Sequence, residues 1–522
     1  MDELNQCSSN DDRSSSKEAK AVVMVPFPCQ SHLNQLLQLA CLISSYRNNY
    51  NGAMLLQVHY ACAATHIHQA KLRFNDQSLL QAANIHFHEL RTPVFLNPSP
   101  DPNASGAATK FPAHLQPSFD SSLHLRQPLA ALLQKISTTA RRVIVVHDAL
   151  MAYAVQDIAT IPTAESYGFN PTSSFSSLFD GWQLMGKSFQ IEEPEGLPSL
   201  DGCYTSEILN FIALHSPLLK FRAGTICNTC RTIEGTYLDF QRNQHSNKQL
   251  WAIGPLNLAL VKDYDQSRRL INSQHKCLEW LDKQATNSVL YVSFGTTTSL
   301  TNEEIKELAV GLEESKQKFI WVLRDADKGD IFEGDINGEG GSAQLLPEGY
   351  EERIKEVGMV VRDWAPQLEI LGHESTGGFM SHCGWNSCME SMSMGVPIAA
   401  WPMHSDQPKN AFLVTQLLKV GVAVKQWPLQ PDKDEIVSSS TISEAVKRLM
   451  ASKQGEEMRK RAEKLRASIR QSVMEGGASR LELDSFIAHI TSKLYTNVPT
   501  KIRRELHDKS MVGALTRNSM SS

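Results

Sequence analysis

The sequence predicts an α/β protein built from two Rossmann-like halves, and three observations lead there. Short apolar runs alternate with segments of helical periodicity, the pattern of βαβ units around a parallel sheet. The alternation occurs twice, once from residue 20 and again from residue 287. At 522 residues the chain is also too long for one ordinary core, so two or three domains are expected.

Taken in order, residues 1–19 are polar and acidic and predict a disordered leader rather than a secretory signal. "KAVVMVPFP" (20–28) is a continuous apolar strand. In the helix that follows, Leu33, Leu36, Leu37, Ala40 and Ile43 recur at helical spacing. Residues 55–63 and 140–148 are further strands, the second a β-branched run ending in a polar pair. Residues 91–118 are rich in Pro, Gly and Ser and predict a long loop, of the kind that is often functional. A mostly polar link, 252–276, joins the halves. In the second half, strands are expected at 287–297, 318–324, 358–364, 377–383 and 396–403, with an amphipathic helix opened by Thr301 after the first of them. A charged helix then precedes a last helix at 479–495. The expected division is 20–255, 256–475, a C-terminal helix within 476–495 that returns to the first domain, and a loose tail, 496–522.

Composition excludes several classes. Hydrophobic content of 41% and charged content of 20% describe a globular chain. A net charge of −5, from 51 basic and 56 acidic residues, gives no reason to expect nucleic acid or an anionic membrane as partner. No apolar run reaches the ~18 residues of a membrane span, so a soluble, cytoplasmic protein is expected. Ten cysteines are too sparse for a disulfide scaffold. Cys227 and Cys230 have CxxC spacing, but no second pair accompanies them and the segment reads as a strand entering a turn. Asp325 and Asp327 have the DxD spacing of a metal-holding pair, yet their acidic, Gly-rich surroundings read as a solvated loop. Gly338, Gly340 and Gly341 open no helix and so make no dinucleotide fingerprint.

The informative stretch is "WAPQLEILGHESTGGFMSHCGWNSCMESMSMGVPIAAWPMHSDQ", Trp364 to Gln407. Open parallel sheets bind ligands beyond the carboxyl ends of their strands, and polar residues collect here at successive strand ends. A helix starting near Asn386 and Ser387 presents unpaired N–H groups and a positive dipole end, which suits a phosphate. His382 and Gly384 add a side-chain donor and a close backbone approach. Glu390 is a natural acceptor for the two hydroxyls of a ribose. Trp364 and Gln367 can stack on and hydrogen-bond to a flat base. Asp406 and Gln407 can reach sugar hydroxyls. Any one of these alone reads as core or loop; together they indicate a nucleotide-sugar.

These 44 positions resemble the signature box of the plant family-1 UDP-glycosyltransferases, enzymes of the GT-B fold, in which two Rossmann-like domains face each other across a cleft. The resemblance rests on Trp364, Gln367, the "HCGWNS" core, Glu390 and the closing Asp406-Gln407. It implies Trp364 stacked on uracil, with Ala365 and Gln367 beside it. It further implies Glu390 on the ribose, His382, Gly384, Asn386 and Ser387 on the diphosphate, and Trp385, Asp406 and Gln407 on the sugar. "VSFGTTTSL" resembles the family's other phosphate-side loop, carried by Gly295 and Thr296. A terminal Gln is loosely associated with glucose donors, so UDP-glucose is the expected donor substrate, with UDP-xylose also open.

Transfer to an alcohol needs a base, and His suits that task near neutral pH. His32 lies between the first strand and first helix, and Asp148 ends a parallel strand where it can hold the imidazole, as in the His–Asp part of a protease triad. The resemblance places the family's catalytic base at His32 and implies inversion at the anomeric carbon, with no cofactor and no metal. One departure is Ser31, where the family usually has Gly; if that position needs φ > 0, strain would displace the His. Over about residues 20–492 the chain resembles the zeatin O-glucosyltransferase group, which implies a cytokinin-like acceptor and a monomer. A phenolic acceptor, or a non-catalytic nucleotide-sugar or hormone binder, remains as the alternative.

Overall fold

The computed structural model describes residues 20–49, 56–74, 77–98, 109–244, 248–259, 275–297, 300–324, 346–427 and 436–492. Asp325, Asp327 and the glycines at 338, 340 and 341 lie outside these residues, as do the expected leader and tail.

The first half is a seven-stranded sheet in the order β3-β2-β1-β4-β5-β6-β7. Its strands are β1 (Lys20–Val25), β2 (Leu56–Ala63), β3 (His86–Leu90), β4 (Arg142–Asp148), β5 (Ala164–Asn170), β6 (Gly224–Cys227) and β7 (Gln249–Ala252), all parallel. β1 and β4 sit at the centre and are covered on both faces, which is why they read as unbroken apolar runs rather than alternating ones. The helix Gln30–Asn49 buries Leu33, Leu36, Leu37, Ala40 and Ile43, the stripe its periodicity predicts.

The second half is a six-stranded parallel sheet, β10-β9-β8-β11-β12-β13. It comprises β8 (Val289–Ser293), β9 (Lys318–Val322), β10 (Gly358–Val361), β11 (Thr376–Ser381), β12 (Ile398–Ala400) and β13 (Gly421–Ala423). The helix Asn302–Ser315 opens with a reciprocal capping box. Thr301 Oγ1 accepts from the Glu304 N–H (3.2 Å) while Glu304 Oε2 accepts from the Thr301 N–H (2.9 Å).

Two departures from the sequence reading concern the first half. The stretch 91–118 is not loop throughout, because Ala113–Leu115 and Gln116–Ser121 form helical turns that bury Leu115 and Phe119 against the face of the first sheet that carries Val23 and Val25. And the link after β7 begins with a short helix, Leu256–Ala259.

The halves share apolar contacts. Phe175, Phe179 and Trp182 from the helix Ser174–Leu184 lie in one buried cluster with Cys383, Trp385, Cys388 and Met389 of the second half. The last helix, Ala478–Thr491, places Leu483, Phe486, Ile487 and Ile490 in the same cluster as Val22, Met24, Tyr167 and Trp251 of the first sheet. Two parallel sheets, each with helices, are the two Rossmann-like halves that the sequence predicts.

Candidate active site

β1 and β4 are adjacent and parallel, so the segments leaving their carboxyl ends emerge side by side. His32 lies in the first turn of the helix after β1, and Asp148 closes β4. His32 Nδ1 is 2.7 Å from Asp148 Oδ2, and the other carboxylate oxygen accepts from the Leu150 N–H at 2.9 Å. Asp148 is fully buried, while His32 keeps 18% of its side chain exposed. A carboxylate at Nδ1 leaves the proton there and the Nε2 lone pair available. The Phe27 ring packs against the imidazole in a T-shaped arrangement, with centroids 5.3 Å apart.

Ser31 does not carry the strain that a left-handed backbone would impose. It lies inside the helix Gln30–Asn49 and is absent from the positive-φ positions. A Cβ therefore fits there, and the position does not require glycine.

Across from this pair is the turn between β11 and the helix Trp385–Met394. Cys383 has φ 64°, a rare conformation for a side-chain-bearing residue. Its N–H donates to Ser381 Oγ (3.1 Å) and its carbonyl accepts from Asn410 Nδ2 (3.0 Å), which hold it there. Gly384 caps the helix without a side-chain hydrogen bond, and the first intrahelical bond runs from the Cys388 N–H to the Gly384 carbonyl (3.1 Å). The N–H groups of Trp385, Asn386 and Ser387 thus face the crevice side of the turn, where an anion is stabilised.

His382 sits between two glycines. A Cβ at Gly384 would lie 2.6 Å from His382 Nε2, and one at Gly295 (φ +81°) 2.8 Å from it. The imidazole occupies the space that side chains would take at both positions. Burial lowers its pKa to about 4, so it is neutral at pH 7. Its Nδ1 is buried with no partner among the described residues. Thr296 is partly buried beyond the end of β8.

On the base side, Trp364 is 43% exposed and presents a large flat surface, while its carbonyl accepts from His275 Nε2 (3.2 Å). Ala365 is buried behind it. Gln367 Nε2 donates to Glu390 Oε2 (2.7 Å) and to Ser387 Oγ (3.1 Å). Burial raises the Glu390 carboxyl to about 7, against the pull of the Gln367 hydrogen bond.

Three box side chains are engaged differently from the roles the resemblance implies. The Trp385 indole is buried and its N–H donates to the Asn228 carbonyl (2.9 Å), so only its backbone remains for a sugar. The Asn386 amide bonds to the first half, donating from Nδ2 to the Ser31 carbonyl (3.3 Å) and accepting at Oδ1 from Gln35 (2.5 Å). Gln407 turns back on its own loop, accepting from the N–H groups of Met403 (2.9 Å) and His404 (3.1 Å). Asp406 accepts from Asn410 Nδ2 (2.8 Å). Its pKa rises to about 6, chiefly through burial, with Asp180 adding to the rise and His32 opposing it.

Sequence reading did not single out Gln35, Asn228, Asp180 or Lys409. The buried Lys409 ammonium pairs with Asp180 (2.7 Å) and donates to Gln183 (2.9 Å), tying the end of the box to the helix Ser174–Leu184. Lys110 pairs with Glu304 and Phe111 packs edge-on against His404 (5.7 Å), so the 109–112 segment also crosses between the halves. A polar Gln35 beside the apolar stripe of its helix was the available signal, whereas Lys409 lies in the polar segment QPKNAF and offered none. Cys227 and Cys230 are buried free thiols, pushed up by burial to about 12 and about 11, too high to ionise at neutral pH.

Residues 18–258 match the family model described as glycosyltransferase, N-terminal domain, and residues 257–461 the one described as UDP-glucoronosyl and UDP-glucosyl transferase. Over 485 residues the chain is 49% identical to a zeatin O-glucosyltransferase of Phaseolus lunatus, covering 92% of this chain and 99% of that one. A zeatin O-xylosyltransferase of Phaseolus vulgaris is also 49% identical, over 91% of this chain and 99% of the relative. A cis-zeatin O-glucosyltransferase of Zea mays is 41% identical over 91% of this chain and 98% of its own length. The solved structure of a UGT transferase from Siraitia grosvenorii in complex with UDP superposes with a TM-score of 0.68 at 28% identity, covering 91% of this chain and 100% of that one.

Proposed function

Because the chain belongs to the UDP-glucuronosyl and UDP-glucosyl transferase family, we propose that it is an inverting O-glucosyltransferase moving glucose from UDP-glucose to the side-chain hydroxyl of zeatin. The observation that carries the acceptor is the 49% identity to a zeatin O-glucosyltransferase over nearly the whole of both chains. The equal identity to a zeatin O-xylosyltransferase favours UDP-xylose as a second donor to be tested. The unstrained Ser31 removes the one feature that pointed to a non-catalytic binder.

In this mechanism the acceptor hydroxyl attacks the anomeric carbon from the face opposite UDP. The new C–O bond forms as the bond from C1 to the β-phosphate oxygen breaks, and the hydroxyl proton passes to His32 Nε2. Asp148, on Nδ1, holds the tautomer and stabilises the imidazolium that results. The leaving diphosphate gains charge at the N-terminus of the helix Trp385–Met394, where backbone N–H groups offset it without a metal. Trp364 and Gln367 take the base, Glu390 the ribose, and Asp406 a sugar hydroxyl. Gly295, Thr296, His382, Gly384 and Ser387 line the phosphates. The protein acts as a monomer in the cytoplasm; among the described residues no helix is long and apolar enough to cross a membrane.

The test is purified protein in EDTA with UDP-glucose or UDP-xylose and cis- or trans-zeatin supplied separately, the product read by mass. A hexose adduct on one isomer, reduced about 10²–10⁴-fold in His32→Ala with UDP binding intact, is the expected result. No adduct on either isomer would sink the zeatin assignment. A His32→Ala enzyme within about threefold of wild type would sink the base, since a general base contributes far more.

A further inference from the structure

Three residues beyond His32 on the same helix, Gln35 is only 3% exposed and spends its whole amide. Nε2 donates to the Pro171 carbonyl just past β5 (3.0 Å) and to Asn386 Oδ1 in the second half (2.5 Å). Oε1 accepts from Asn228 Nδ2 (2.8 Å), just past β6. Asn228 is equally committed: its Oδ1 accepts from the Leu256 N–H (3.1 Å), and its carbonyl receives the Trp385 indole N–H (2.9 Å). Gly254 makes room for this, since a Cβ there would lie 2.5 Å from Asn228 Oδ1. Asn386 closes the circuit by donating to the Ser31 carbonyl (3.3 Å).

The side chain of Asn386 therefore grips the base-bearing helix at two points, the residue before His32 and the residue three after it. Two anchors on either side of one residue fix both the translation and the rotation of that turn. The partner element is the first turn of the helix Trp385–Met394, whose N–H groups face the leaving diphosphate in the mechanism above. We propose that Gln35 is a positioning residue that fixes the distance between His32 and the donor by locking these two helix starts together; this rests on the base and donor assignments just made. A buried amide is costly unless every hydrogen bond is made, and here the amide of Gln35 makes them to the ends of β5 and β6 and to the second half at once.

Two variants test this: Gln35→Met, similar in length but without hydrogen bonds, and Gln35→Glu, which accepts from Asn228 but donates to neither carbonyl. Should one fail to fold, the other still reports. The expected result is a fall in kcat of tenfold or more, since a displacement of about 1 Å can cost about 10²-fold. KM for UDP-glucose and the affinity for UDP should stay within about threefold of wild type. Tm should fall in both variants because buried partners lose their hydrogen bonds, and the kcat loss, read well below either Tm, should exceed what that fall accounts for. A second readout needs no turnover. UDP should slow amide exchange in wild-type peptides spanning 27–40, in the opposite half from the donor helix, and that slowing should be lost in both variants. An unchanged kcat, a kcat loss that merely follows Tm, or exchange protection that survives in the variants would each overturn the positioning role. A wild-type protein that binds no UDP would instead remove the donor assignment on which it rests.

Discussion

The two halves build their parts of the site in opposite ways. The proposed donor side is local in sequence: the segment Trp364 to Gln407 carries all but two of its residues, on the turns that follow β10, β11 and β12. The acceptor side is dispersed. His32 and Asp148 meet at 2.7 Å across a separation of 116 residues, and Gln35 reaches Asn228 across 193. A donor shared by many enzymes can be held by one transferable segment, whereas a base that must meet a particular acceptor is assembled by the whole first sheet.

Variants on the two sides should therefore fail differently. The largest effect is expected from Asp148→Asn, which loses the tautomer control and should lower kcat by about 10²-fold or more while UDP affinity holds. Equal losses in kcat and UDP affinity, read by steady-state rates and calorimetry, would break the division of labour. Next comes Gly384→Ala. Its Cβ would strike the His382 ring, so UDP affinity should fall about tenfold while kcat at saturating donor changes little. A kcat loss without an affinity loss would move that turn to the catalytic side.

A smaller, pH-dependent effect is expected at Glu390. Its pKa of about 7 lies above the ordinary carboxylate range, so the free protein holds it neutral below pH 7 and ionised above. A carboxylate is the better acceptor for two ribose hydroxyls, so wild-type affinity for UDP should gain a few-fold over Glu390→Gln as pH rises from 6 to 8. A constant ratio between the two proteins would detach Glu390 from the ribose. For stability the sign is opposite. Between the ordinary carboxyl pKa and about 7 the folded protein binds the extra proton, so this group's contribution to stability falls as pH rises through that window. The smallest effect is Ser31→Gly. With no left-handed backbone to relieve, kcat should stay within about twofold, and the glycine should cost at most about 0.5 kcal/mol in the first turn of the helix. A large gain in rate would mean that Ser31 does displace the base.

What was legible in the sequence follows the same division. The box could be read because its chemistry is contiguous, and β1, β4 and β8 because central parallel strands carry long apolar runs. β3, β5, β7 and β13 escaped notice: "HFHEL" is an edge strand with charged and polar faces, "AESYGFN" buries a Glu against Arg142, and the last two are four and three residues long. No periodicity develops over such lengths. The side-chain engagements of Trp385 and Asn386 were illegible for another reason. A motif specifies residue types at positions, but which hydrogen bond an amide makes depends on what the other half of the molecule places opposite it. Gln35 and Asn228 occupy those opposite places, and neither belongs to a motif.

The docking of the final helix under the first sheet has a consequence for biosynthesis. Phe486, Ile487 and Ile490 complete the apolar layer beneath β1, β5 and β7, and the buried Arg142 guanidinium donates to the carbonyls of His489 (3.1 Å) and Ile490 (2.9 Å). A chain emerging from the ribosome has the whole first sheet outside the exit tunnel long before residue 483 is made. During that interval the sheet's underside lacks its cover, and Arg142 has Glu165 but not the two helix carbonyls. The second half can close around its own core meanwhile, so the part of the enzyme synthesised first is the last to be finished.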